Sequence, residues 1–341
     1  MKGKKILVLL LVLLLTATLF ACGNNSSNEG GSDTPDATDN EWPAAGSQIR
    51  LVITHGVGGS VDMAARGIAP FLEKYLGVTV VCENMEGASG RKAMKYVYES
   101  EPDGYTIVVS AHPSRLIGEM MYPDEAGYSM HDFTKLGSWT KGDVRAIIAK
   151  TGSDYDTLEK ILKAGESQKL KCAGGGGVGS TSQLQQVYLK DVVGINTDFI
   201  PYDSTAEVLN AVLGGEVQFG LQPLSSALRS AADGEVTIVA IHAEERSDRC
   251  PDVPTLKELG YDGVVIENMD CAYAPPGTPD YIVAKYAEAI EKAFDDPEFI
   301  EWAEANNVFI HYSSPEEVQA ETDQAYLDIE NVLPRLMEDI K

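Results

Sequence analysis

The chain has 341 residues, with 27 Lys and Arg against 52 Asp and Glu, a formal charge of −25 and a hydrophobic fraction of 44%. That apolar content excludes a wholly disordered chain, and the length suffices for two globular domains, each with its own core. The acidic balance argues against nucleic acid and anionic membrane surfaces as partners, because binding to phosphates needs an excess of Lys and Arg.

Lys2, Lys4 and Lys5 precede an uninterrupted apolar run, Ile6 to Leu15, which leads into Leu19-Phe20-Ala21-Cys22. A basic start followed by a short apolar stretch is the pattern of a secretory signal. The ending resembles a bacterial lipobox, in which the cysteine sulfur receives diacylglycerol before cleavage. Residues 1–21 are expected to be a signal peptide and Cys22 the lipidation site. The competing reading is an uncleaved anchor, but Ile6 to Ala21 falls short of the ~17 to 25 residues that a spanning helix needs. Residues 22–46 are rich in Asn, Ser, Gly, Asp and Pro; they bury too little to offset ordering entropy and read as a flexible tether. The body is then expected outside the cytoplasm, anchored to the cell membrane by lipid on Cys22.

The body alternates between strand and helix patterns. Ile49 to Thr54 is a compact apolar run, followed by a Gly-rich loop and a helix from Asp62 to Leu76 whose apolar residues recur at helical spacing. Val78 to Glu83 reads as a strand, Arg91 to Ser100 as a helix, Pro102-Asp103-Gly104 as a turn and Thr106 to Ser110 as a strand. A less regular stretch containing Trp139 precedes a strand at Val144 to Ala149. The pattern then restarts with helix Thr157 to Gly165, strand Leu170 to Ala173, a glycine loop, helix Ser182 to Val192 and strand Asp198 to Pro201. Helix Ala206 to Leu213, strand Val217 to Leu221, helix Ser225 to Ala232 and strand Thr237 to Ile241 complete it. Strands separated by helices of this length imply parallel sheets in two α/β layers.

Two Gly-rich loops occupy corresponding places, each between a strand and a helix. The first runs from Thr54 to Asp62 and the second from Ala173 to Ser182. Each brings a backbone without Cβ atoms to a helix N-terminus, where free N–H groups and the macrodipole favour an anion. The bland reading, tight turns alone, suits either loop taken singly. A dinucleotide site is disfavoured, because Val61 stands where the fingerprint requires its third glycine. Catalytic and metal patterns are weak. His55, His112, His131, His242 and His311 form no HExxH motif, and no GxSxG elbow is present. Cys22, Cys82, Cys172, Cys250 and Cys271 lack CxxC spacing, which argues against a zinc site and a disulfide scaffold.

The first loop with Asp62 and Arg66, Glu83-Asn84 with Gly87-Ala88-Ser89-Gly90, and Pro102 to Thr106 together resemble the solute-binding proteins of tripartite tricarboxylate transporters, the Bug family. Pro201-Tyr202, Leu213 to Val217, Arg249 to Thr255 and Ala274 to Pro279 extend the match in order along the chain. The resemblance implies an α/β periplasmic-binding-protein-like fold of type II, each domain a mixed sheet flanked by helices, with two hinge strands near Ala149 and Val265. Domain 1 would comprise residues 47–148 plus 266–341, and domain 2 residues 149–265. The sequence departs from the family pattern at His55, Met85-Glu86, Gln183, Asp203-Ser204 and Gln218.

The resemblance also implies an extracytoplasmic lipoprotein, not an enzyme, that captures a small organic acid in the interdomain cleft and delivers it to membrane permease subunits. No cofactor or metal is expected, and the body is expected to be a monomer. Gly58, Gly59 and Ser60 are expected to donate amides from domain 1, while Gly177, Gly179, Ser180 and Thr181 grip from domain 2. His55, Ser110, His112, Tyr202 and Gln222 are expected to form the wall that chooses among ligands, and Asp62 to cap the first helix. The alternatives are a sensor that presents ligand to a membrane receptor and, from another class, a secreted hydrolase.

Overall fold

The computed structural model describes residues 42–263, 265 and 267–338. The expected signal peptide, Cys22 and most of the expected tether lie outside the described residues. The described residues begin at Trp42, inside the stretch read as tether. Its indole is 8% exposed, donates from Nε1 to the carbonyl of Asp103 at 2.8 Å, and packs on Tyr105 and Tyr286. At least this end of the stretch read as tether is therefore packed on the body.

Strand β1 (Gln48–Ile53) leads through the first glycine loop into α1 (Ser60–Leu76), which Gly77 closes in a left-handed conformation. Next come β2 (Thr79–Asn84), a 3₁₀ turn at Ala88–Gly90, α2 (Arg91–Tyr98) and β3 (Thr106–His112). The irregular stretch contains two helices, α3 (Ser114–Met121) and the short α4 (Pro123–Ala126), and a strand, β4 (Thr134–Thr140). The chain continues through β5 (Asp143–Lys150), α5 (Leu158–Gly165), β6 (Leu170–Gly175), α6 (Thr181–Tyr188) and a π turn at Leu189–Val193. It then forms β7 (Thr197–Tyr202), α7 (Thr205–Gly214), β8 (Phe219–Pro223), α8 (Leu224–Ala231) and β9 (Val236–His242). After β10 (Glu267–Ala274) come α9 (Asp280–Phe294), α10 (Pro297–Ala305), β11 (Ile310–Ser313) and α11 (Pro315–Glu338).

The strands fall into two groups. One runs β2-β1-β3-β10, with β4 beside β10 and β11 beside β4; the other runs β5-β8-β6-β7, with β9 beside β5. The sheets are mixed, as the family resemblance implies, whereas strand and helix alternation alone implies a parallel arrangement. β1 pairs in parallel with β2 and β3, and β6 with β7 and β8. By contrast, β10 runs antiparallel to β3 and β4, and β5 antiparallel to β8 and β9. The reversed strands are those where the chain changes group, and an antiparallel neighbour requires no crossover helix.

β4 passes into β5 through Lys141 and Gly142, the latter at φ +76°. Since β5 pairs with β8 and β9, residues 143–150 belong to the second group, and the passage precedes the hinge expected near Ala149. The return passage ends at β10, whose first residues bridge to β5 through Glu267↔Val144 and Asn268↔Asp143. Each sheet is covered on both faces. On β1, Leu51 and Ile53 join one core cluster with α1 and α9, while Val52 joins another with α2 and α3. Such near-continuous apolar strands are what a sheet buried on both faces requires. Two further clusters flank the second sheet. Helix α11 extends from the first group to the second, where Arg335 pairs with Asp191 at 2.9 Å. Among the described residues, no helix is long and apolar enough to cross a membrane.

Candidate functional site

Both glycine loops open onto one small void between the two sheets. From the first group it is lined by His55, Gly59, Ser60, Val61, Ala111 and Ser114. From the second come Arg145, Gly175, Gly176, Thr181, Ser182, Ser204, Thr205 and Pro223, and Asn268 closes the side where β10 crosses. Its volume is about 20 Å³, room for one water molecule. The walls have therefore met, and a larger guest requires them to part. No Asp or Glu lines the void, although the chain carries 52 acidic residues.

Three helices of different origin begin at this void: α1 at Ser60, α6 at Thr181 and α7 at Thr205. Ser180 caps α6 by accepting from the amide of Gln183, and Ser204 caps α7 by accepting from that of Glu207. At α1 the cap is Gly59, which has no side chain to offer, so first-turn amides of that helix remain available to a guest. Hydroxyls join the walls. Thr181 Oγ1 donates to Asn268 Oδ1 at 3.0 Å, and the amide of Thr181 donates to Ser114 Oγ at 3.3 Å.

Two guanidinium groups are buried nearby. Arg145 on β5 is 2% exposed and hydrogen-bonds two neutral oxygens, Ser182 Oγ at 2.5 Å and Gln185 Oε1 at 3.4 Å. Burial brings its pKa down to about 10, partly opposed by the charge of Asp143. Arg115 on α3 reaches across the cleft and donates from Nη2 to the carbonyl of Gly176 at 3.3 Å. Burial likewise lowers its pKa to about 10. The ring of His55 shares a hydrogen bond with Thr54 Oγ1 through Nδ1 at 2.8 Å. Burial, and secondarily the charge of Arg115, hold this histidine well below its usual pKa, so it is neutral at pH 7. The void thus offers amides, hydroxyls and positive charge, and no competing carboxylate.

Of the residues singled out in the sequence, His55, Gly59, Ser60 and Thr181 line the void, and Ser180 stands just behind it as the α6 cap. The others lie outside its lining, most of them with a polar group engaged. The amide of Gly58 donates to Asp62 Oδ2 at 2.9 Å, and Ser110 Oγ accepts from Thr54 Oγ1 at 2.9 Å. The amides of Gly177 and Gly179 go to the Tyr202 carbonyl and to Gln183 Oε1. The Tyr202 hydroxyl donates to Glu216, and the Gln222 amide donates to Ser230 Oγ. His112 lines a separate groove of about 630 Å³ on the far side of β10, beside α6 and α11; burial lowers its pKa to about 4. Sequence reading missed Arg145, Ser114, Ser204, Thr205 and Asn268. The only sequence signal was the pairing of a small hydroxyl residue with a helix start at 204–205.

The sequence matches the tripartite tricarboxylate transporter family receptor over residues 64–325. A UPF0065 protein from Cupriavidus necator, described by its position in the gbd 5′ region, is 30% identical over 258 residues, covering 74% of this chain and 76% of its own length. Among solved structures, the periplasmic binding protein BugD is similar at 26% identity and a TM-score of 0.76, covering 85% of this chain and 97% of that one. MatC from Rhodopseudomonas palustris, solved with bound malate, is similar at 25% identity and a TM-score of 0.76, covering 88% and 100%.

Proposed function

The chain belongs to the tripartite tricarboxylate transporter receptor family of periplasmic solute-binding proteins, and from that premise we propose that it captures a small organic acid between its two sheets and delivers it to a membrane permease. The observation that carries this reading is the void itself. In a chain of charge −25, three helix starts and a buried arginine converge on a void that, among the described residues, no acidic side chain lines. Distant surface carboxylates are screened beyond ~8 to 10 Å, whereas amides and a guanidinium act at contact distance. The malate held by MatC is consistent with a carboxylate as cargo.

The walls meet around a space too small for such a cargo, so capture involves parting and reclosure. Motion about the two crossings, residues 141–142 and the start of β10, would provide it, with residues on either side acting as two domains. The lipid on Cys22 would keep the body outside the cytoplasm and near its permease; a diacyl anchor suffices where a single chain does not. Changing Cys22→Ser should release the body or leave an unprocessed precursor.

A thermal-shift screen of carboxylates tests the central point. A ligand at a hundred times its dissociation constant adds about 2.7 kcal/mol of stability, a shift readily seen. If mono-, di- and tricarboxylates at millimolar concentration all leave the melting temperature unchanged, organic acids are not the cargo.

A further inference from the structure

Arg145 is in an unusual position for a buried charge. It projects from β5 beneath the start of α6, is 2% exposed, and lines the void. It hydrogen-bonds a hydroxyl and a side-chain amide oxygen. The nearest acid on its own strand, Asp143, is committed elsewhere: its two oxygens accept from the amide and the hydroxyl of Ser225 at 2.9 and 2.5 Å. Asp143 therefore acts on the guanidinium through space and not through a hydrogen bond, which offsets its desolvation less than a paired carboxylate would. On the opposite wall, the uncapped start of α1 supplies neutral amides from Ser60 and Val61. The two walls therefore offer two separate places for negative charge, one on each sheet.

We propose that Arg145 is the specificity-determining residue of the cleft: its guanidinium receives one anionic group of the ligand at the second-sheet wall while the α1 amides receive another, so that doubly charged ligands are selected over singly charged ones. The inference rests on the carboxylate reading above. A singly charged acid of the same length leaves either the guanidinium or the amide set shut in without an acceptor when the walls close, and discrimination by buried groups left unpaired is large. The planar fork of Arg suits a carboxylate better than the point charge of Lys.

Titration calorimetry on the full chain tests this with acids matched in length: succinate against butyrate, glutarate against pentanoate, and adipate against hexanoate. The wild type should bind at least one diacid about tenfold or more tightly than its partner. Arg145→Gln should bring that ratio to within about twofold, by weakening the diacid and relieving the penalty on the monoacid, and Arg145→Lys should fall between them. If the Gln variant does not fold, the Lys variant decides, with a loss of about threefold or more in the ratio expected. A preference retained in the variant, or absent from the wild type, overturns the role of Arg145 and leaves the carboxylate reading intact. Absence of binding by every acid in the wild type overturns both.

Discussion

Gly90 leaves room for Arg115: a methyl group at its α carbon would lie 2.3 Å from Nη1 of that guanidinium and 3.2 Å from Thr54 Cβ. Gly90 also has φ +81°, a conformation that other residues adopt at a cost. The Gly-Ala-Ser-Gly run before α2 thus shapes the seat of the arginine that spans the cleft. Gly90→Ala should destabilise the fold by about 2 kcal/mol, combining backbone strain with a displaced buried charge. Urea unfolding measures the loss; a change below about 0.5 kcal/mol would show that Arg115 moves aside freely.

Two buried acids stand where the crossing strands meet. β10 pairs Asn268 with Asp143, and Asp270 lies two residues further along. Burial and then the charge of Asp143 raise the pKa of Asp270 to about 7, against the opposing effects of Thr140 and Arg229. In the unfolded chain the value is near 3.9. Between these values the folded protein retains a proton that the unfolded chain releases. The contribution of Asp270 is therefore full below about pH 4, falls as pH rises, and levels off above about pH 7. Asp270→Asn should gain roughly 2–4 kcal/mol relative to wild type between pH 4.5 and pH 8. Paired urea titrations at those two values measure it, and acids remote from Asp270 cancel in the difference. An equal effect at both values would mean that Asp270 is ionised in the folded protein.

Strand and helix alternation was legible because its signals are local. The run at Ile49 to Thr54 and the helical spacing of Ala64, Ile68 and Leu72 read directly as β1 and α1. Strand direction was not legible, since an apolar run such as 144–149 reads the same whichever way its neighbours point. The first glycine loop pointed to the void through Gly59 and Ser60. Arg145 was hidden in the same run that made β5 recognisable, because only Ser182, Gln185 and Pro223, brought in by α6 and β8, decide that it is buried. The partner of Gly58 was hidden for a related reason: its amide looks available in the loop, but Asp62 one helical turn on accepts its hydrogen bond.

Helix α1 tolerates a mid-helix glycine for a packing reason. A methyl group at Gly67 would lie 1.8 Å from the indole of Trp302 on α10. In an exposed helix, replacing Gly by Ala stabilises by about 1 kcal/mol. Here the sign should reverse, with Gly67→Ala costing about 3 kcal/mol because the flat face of the ring leaves no volume for a methyl group. Trp302→Leu should relieve much of that cost, and a double-mutant cycle would show coupling above about 1 kcal/mol. Additive effects would place the strain elsewhere.

Asp62 organises the first loop from beneath. Its Oδ2 accepts from the amide of Gly58 at 2.9 Å, while Oδ1 accepts from Arg66 Nε at 2.8 Å and Asn84 Nδ2 at 2.9 Å. The same Asn84 nitrogen also donates to the carbonyl of His55 at 2.9 Å. This carboxylate, 4% exposed, therefore holds both ends of the turn that presents Gly59 and Ser60 to the void. Asp62→Ala would leave the Gly58 amide without its acceptor and the Asn84 side chain with one of its two, and should cost about 2–4 kcal/mol of stability. Asp62→Asn preserves shape and one acceptor oxygen but loses the charge facing Arg66, so about half that cost is expected, the Arg66 side chain being nearly half exposed. Ligand affinity should fall with each in the same order, by about tenfold or more for Ala, because a loosened loop must be ordered again on binding. Urea unfolding and calorimetry on both variants would measure the two effects together. Full affinity in a destabilised Asp62→Ala protein would show that the amides of the first loop take no part in holding the ligand.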